Sequence, residues 1–187
     1  MSSSTWAYGL PKLLFAKAAG LSAFLCLTVL PFCTTAQCSD VPKLPYERRL
    51  QSPEDFRKTD AAAAKAIDWV LQNTHPECNE VKEHVNAYLL VWLSGHPDVI
   101  VRLEPSVFPF FKEEPELLYT ALFAMARYEL TSKSGTPSLV DAHVAALEAI
   151  GDVVKAQKTL RKNPAFKAFR KSWRRNQLEE WTTNHLQ

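Results

Sequence analysis

The chain has 187 residues, with 22 basic and 20 acidic side chains and a net charge of +2. That length favours a single domain once a leader is set aside. Of its five glycines only Gly95, Gly135 and Gly151 lie beyond residue 36, which excludes a Gly-rich phosphate loop and a dinucleotide-binding fingerprint.

The chain begins like an export signal. Met1 to Lys17 carries Lys12 and Lys17 and no acid, Ala18 to Phe32 is an uncharged run rich in Leu, Ala and Phe, and Thr34-Thr35-Ala36 supplies small residues. Basic, apolar and small-residue regions in that order predict a secretory signal peptide over 1–36, cleaved after Ala36, and hence an exported, periplasmic or secreted protein. Two other readings stay open. One is an uncleaved membrane anchor, although the apolar part is short against the roughly 20 residues needed to span a bilayer. The other is a lipoprotein acylated at Cys38, although Gln37 is larger than the residue that normally precedes such a cysteine.

Export bears on the cysteines. Cys26 and Cys33 leave with the leader, and Cys38 and Cys78 remain. An exported chain with two cysteines can close one disulfide. Two separate free thiols are the competing reading.

Residues 37–51 contain Pro42 and Pro45 and no sustained period, so an extended arm is predicted. Ser52-Pro53-Glu54-Asp55 reads as a helix start, with a serine cap, proline in the first turn and carboxylates near the positive end of the helix dipole. Phe56, Ala63, Ile67 and Val70 mark one face of a first helix that ends near Asn73. A second helix is capped near Asn79, buries Val81, Val85, Tyr88, Leu89 and Trp92, and stops at Gly95 and Pro97. Val99 to Leu103 alternates like a strand but has no partner, so it is read as an extended crossover. Phe108, Phe110 and Phe111 then plug one end of the core.

Pro115 to Leu130 is apolar nearly all round, apart from Glu129 and a stripe of Glu116, Thr120 and Arg127. It is predicted as a central helix covered by the others. A fourth helix starts at Ser138, turns Val140, Val144, Leu147, Ile150 and Val154 inward and runs to about Leu160. A last one runs from Pro164 to about Asn184 with Phe166, Phe169, Trp173 and Trp181 roughly on one side. The predicted fold is therefore all-α. It is a compact bundle of about five helices forming a single domain over 52–187.

Signatures of catalysis are missing from the sequence. It holds no Cys-x-x-Cys, no His-Glu-x-x-His and no Gly-x-Ser-x-Gly. Glu80 and His84 stand four apart but read as an ordinary helical pair rather than metal ligands. His96 and His143 have no nucleophile or orienting acid beside them in sequence. No cofactor and no metal are expected. His96, Phe108, Phe111 and Arg127 are retained as candidates for lining a pocket.

Charge is segregated along the chain. Residues 37–154 hold 11 basic and 18 acidic side chains, a balance of −7, whereas residues 155–175 hold nine basic and none acidic. Lys158, Arg161, Lys162, Lys167, Arg170, Lys171, Arg174 and Arg175 flank Phe166, Phe169 and Trp173. Cations interleaved with aromatics suit anionic lipid headgroups, acidic polysaccharide or nucleic acid, the last being weakest for an exported chain. The competing reading puts the aromatics in the core and leaves the cations solvated or neutralising the protein's own acids.

The block Leu89-Leu-Val-Trp-Leu-Ser-Gly-His-Pro-Asp-Val-Ile-Val-Arg-Leu103, with Pro115-Glu-Leu-Leu118 and Ala126-Arg-Tyr-Glu-Leu130, resembles exported helical bacterial proteins of uncharacterised function. The resemblance covers the middle third of residues 37–187 and implies a helical domain outside the cytoplasm, with no catalytic residue or ligand. Three functions follow as expectations. The first is an envelope-associated interaction or accessory protein with a protein partner. The second is a peripheral binder of anionic lipid or polysaccharide through Lys155–Arg175. The third is an enzyme without a recognisable motif.

Overall fold

The computed structural model describes residues 38, 40–45, 50–74, 78–132 and 138–186, all within the unit Ala36–Gln187. The predicted signal peptide over 1–36 therefore lies outside the described residues. Those that are described form eight α-helices, three short 3-10 turns and no strand. The helices are α1 (Pro53–Lys58), α2 (Asp60–Gln72), α3 (Asn79–Gly95), α4 (Leu117–Thr131), α5 (Leu139–Ala156), α6 (Lys158–Lys162), α7 (Lys167–Arg174) and α8 (Leu178–His185). None is long and apolar enough to cross a membrane.

The all-α expectation holds, but three of the five predicted helices are divided. The first breaks at Thr59, whose buried hydroxyl donates to the Phe56 carbonyl at 2.8 Å and ends α1 after six residues. The fourth breaks at Gln157, which is extended (φ −94°, ψ 116°) and whose amide donates to the Thr74 carbonyl at 3.2 Å. The last opens as a 3-10 turn at Pro164–Phe166 and breaks at Asn176, which adopts the left-handed conformation (φ 55°). Asparagine tolerates that conformation better than most residues. Each break is made by one residue inside an unbroken apolar period.

The N-terminal start behaves as its residues dictate. Ser52 Oγ accepts from the Asp55 amide, and the Asp55 carboxylate accepts from Ser52 N at 3.0 Å, completing a capping box. The Ser52 hydroxyl, donating to the Asp55 carboxylate at 2.7 Å, and then the Ser52 amide hold the Asp55 carboxyl below its usual range.

Gly95 has an ordinary negative φ. It does not end α3 as a left-handed cap. Instead it makes room: a Cβ there would fall under 3.0 Å from the Phe56 ring. Gly151, mid-helix in α5, makes the same room for the Trp173 indole, which explains a residue that costs a helix interior about 1 kcal/mol against alanine.

Two clusters make the core. The N-terminal cluster contains Phe56, Ile67, Val70, Val85, Leu89 and Trp92. The C-terminal cluster contains Phe108, Phe110, Leu147, Ile150, Phe166 and Phe169. Helix α4 serves both, giving Phe123 and Ala126 to the first and Leu117, Ala121 and Met125 to the second. Its most extensive contacts are with α5, then with α2. It begins two residues later than predicted. Its wet edge is also wider than predicted, because Leu118 and Tyr119 are 37 % and 40 % exposed.

Cys38 and Cys78 are joined by a disulfide with Cα atoms 5.6 Å apart. It fastens the segment carrying Leu44 to the start of α3, and Cys38 and Leu44 pack against the N-terminal cluster.

Candidate functional site

The stretch from α6 to α8 is shaped by its aromatics. Asn163 Oδ1 accepts from the Ala165 amide at 3.0 Å, and Pro164 opens the turn that follows. Asn163 Nδ2 donates to Glu114 at 3.1 Å, tying the turn to the segment before α4. Phe166 and Phe169 are then buried against Phe110, with ring centroids at 4.9 and 5.2 Å. Trp181 packs edge-on to Phe169, and its Nε1 donates to the Val107 carbonyl at 3.1 Å. These contacts fix the rotation of α7 about its axis.

That rotation sets where the charge goes. At 3.6 residues per turn Lys167, Arg170, Lys171 and Arg174 share an arc of roughly 100°, beside the aromatic face. Lys158, Arg161, Lys162, Lys167, Lys171, Arg174 and Arg175 are all exposed. Arg170 differs. It is half-buried, and its Nη1 donates to the carbonyls of Leu160, Arg161 and Asn163, closing the end of α6.

Ion pairs among the described residues join Arg57 to Asp98 at 2.6 Å and Arg127 to Asp68 at 2.7 Å, and the His96 imidazole donates to Asp60 at 2.9 Å. None uses a cation from 155–175. Lysine in the first turn of α7 opposes the helix dipole, and the like charges at i,i+4 repel by a few tenths of a kcal/mol per pair. The local physics disfavours this concentration of charge, yet the seven exposed cations carry it with no paired acid among the described residues.

The other candidate residues fall in different places. His96 is buried against Phe56 and Trp92; its Nε2–H donates to Asp60, and its Nδ1 accepts from the amides of Asp98 and Val99, each at 3.1 Å. It is a structural clasp at the end of α3. Phe108 and Phe111 stack at 4.8 Å in the other cluster, over His143. His143 is fully buried, with Nδ1 at 2.8 Å from the Leu139 carbonyl and Nε2 accepting from the Glu104 amide. With both ring nitrogens engaged, that imidazole is the neutral tautomer protonated at Nδ1. Arg127 makes a bidentate pair with Asp68 at the rim of an open, shallow groove between α2, α4 and α5. The four therefore do not converge. Among the described residues no three metal-ligating side chains come together.

Sequence reasoning missed a polar cleft. About 410 Å³ of space opens between α2, α3, the start of α4 and the α5–α6 junction, with Lys82, Glu114, Glu116, Thr120, Gln157 and Thr159 on its walls and Val70, Leu117, Val153 and Leu160 beneath. A further 200 Å³ continues past Lys82 and Glu116 to Asn86 and Tyr119. Burial holds the Lys82 ammonium below its ordinary pKa, with Glu116 opposing. Asn86 Oδ1 is buried without a hydrogen-bond partner. The one signal in sequence was Lys82 and Asn86, four apart, beside Val81 and Val85.

A second groove of about 270 Å³ holds Ile100 and Leu139 over Met125, with Asp98, Arg102 and Glu129 also on its walls. Burial raises the pKa of Glu129 at its edge.

Comparison with known proteins finds no family model, no curated protein sequence and no solved structure that this chain matches.

Proposed function

We propose that this chain is an exported helical accessory protein that works by binding, and that it attaches to an anionic envelope surface through the face built by α6 and α7. The observation that carries the reading is the set of seven exposed cations between Lys158 and Arg175, without a paired acid among the described residues. Burial of Phe166 and Phe169 beneath them gives the face a rigid backing. Such a surface attracts phosphate or carboxylate groups over about a Debye length.

Export is supported by the order of basic, apolar and small residues before residue 37. It is supported also by the disulfide between Cys38 and Cys78, a bond that persists in oxidising compartments. The same reading places the chain among exported helical bacterial proteins, as its middle third suggests.

The test is co-sedimentation with vesicles. Residues 37–187 should pellet with phosphatidylglycerol vesicles at low salt and not with phosphatidylcholine vesicles. Pelleting should vanish at about 1 M salt, where the screening length is about 3 Å. Pelleting that survives high salt, or that ignores lipid charge, contradicts the reading.

A second reading, attachment to a protein partner, is supported by Ile100 and Leu139, which are 58 % and 39 % exposed and share one groove.

A further inference from the structure

We propose that the cleft between α2, α3, α4 and the α5–α6 junction is a binding site for an uncharged saccharide. The cleft has the size of a small-molecule site: its 410 Å³ falls within the usual range of about 300–1,000 Å³. Its chemistry then narrows the ligand.

A net charge on the ligand is disfavoured from both sides. An anion entering the cleft meets Glu114 and Glu116, and a cation meets Lys82. Lys82 is partly buried, with Glu116 near enough to favour its charge but no ion pair to it among the described residues, so its ammonium has donors left for a ligand's hydrogen-bond acceptors. What remains on the walls is a set of amides and hydroxyls: Asn79, Asn86, Thr120, Gln157 and Thr159. Amides, carboxylates and an ammonium are the groups that pair with vicinal hydroxyls, because a hydroxyl both donates and accepts.

The floor supplies the other half of the match. Val70, Leu117, Val153 and Leu160 are buried and apolar beneath those walls. A sugar ring is amphipathic in the same sense, with a polar rim and C–H faces. Tyr119, 40 % exposed, stands where the cleft runs on past Glu116 and offers an aromatic face of the kind C–H groups stack on.

Two groups are left in an unfavourable state by the protein alone. Asn86 Oδ1 lies buried in the continuation of the cleft without a partner, where an orphaned acceptor costs about 1–3 kcal/mol. The Lys82 ammonium is held in partial burial. Lys82 and Asn86 are four residues apart on α3 and so share the helix face beside the cleft. Costs of this kind collect at sites built for a ligand.

The reading is independent of the basic face, and the experiment separates them. Amide chemical shifts of residues 37–187 would be followed on addition of glucose, N-acetylglucosamine and cellobiose, with glutamine as the zwitterionic control and spermidine as the cationic one. At least one saccharide should shift Lys82, Asn86 and Thr120 at concentrations up to about 10 mM. Lys82→Met and Glu116→Gln should each weaken that saccharide by about tenfold, the loss of one hydrogen bond to a charged group. Glu116 is exposed, and its side chain makes no cap bond to α4, so Glu116→Gln tests the site in a folded protein. Neutralising Lys167, Lys171, Arg174 and Arg175 should leave saccharide binding unchanged. No saccharide-induced shift in this cleft, or shifts there from glutamine or spermidine instead, would overturn the proposal.

Discussion

The two core clusters are held together by different means. Around the N-terminal cluster, charge is built into the fold: both Arg–Asp pairs of the described residues and the His96–Asp60 hydrogen bond start from α1 or α2, and the disulfide and the capping box lie on the same side. The C-terminal cluster has more cations near it and no ion pair among the described residues. It is held by ring contacts among Phe108, Phe110, Phe166, Phe169 and Trp181 and by side-chain bonds to backbone carbonyls. The contrast teaches that a charged residue here has to be judged by what it touches. Arg127 and Arg170 are structural, whereas Lys171 and Arg174, about a turn from Arg170, touch no acid among the described residues.

The sharpest break of that contrast removes the aromatic support. Phe110→Ala should cost about 3–5 kcal/mol, as for other buried phenylalanines, seen as a large fall in midpoint on thermal unfolding. Next comes the covalent support of the other cluster. Cys38→Ser with Cys78→Ser opens a loop of 40 residues and should cost roughly 3–4 kcal/mol by loop entropy, read by denaturant titration. Arg170 and Arg174 give the finest comparison within one helix. Arg170→Ala should cost about 1.5–3 kcal/mol, because it orphans carbonyls at the end of α6, while Arg174→Ala should stay within about 0.5 kcal/mol of the parent.

The smallest effect concerns Lys82. Burial lowers its pKa in the folded chain from the ordinary 10.5, so the unfolded chain binds that proton more tightly. Keeping Lys82 protonated therefore costs stability below its folded pKa, and the cost disappears as pH climbs toward 10.5. Lys82→Met should raise the stability at neutral pH by less than about 1 kcal/mol, given the partial exposure, and the gain should vanish in alkaline melts.

Much of this architecture was legible in the sequence, because apolar periods of 3.6 residues and Ser-Pro or Asn-Pro starts mark helices directly. The breaks at Thr59, Gln157 and Asn176 were not. No proline or glycine stands there, and each break depends on a bond or backbone angle that only the packed structure selects. Of the basic face, the cations and the alternating aromatics were readable as a pattern. The turning of Arg170 onto three carbonyls was not, since it requires α6 and α7 to meet at a particular angle. The polar cleft was invisible for a related reason. Lys82, Glu116 and Gln157 come from different elements, and nothing in their local spacing says that they face one another.

The account rests on the cations of α6 and α7 being dispensable to the fold. The direct measurement is the melting midpoint of the fourfold variant Lys167→Gln, Lys171→Gln, Arg174→Gln, Arg175→Gln, beside its parent in low salt. A midpoint equal to the parent's, or higher as like-charge repulsion is relieved, is the expected result. A fall of about 10 °C, equivalent to several kcal/mol in a domain of this size, would mean that those charges hold the structure together and would contradict the claim.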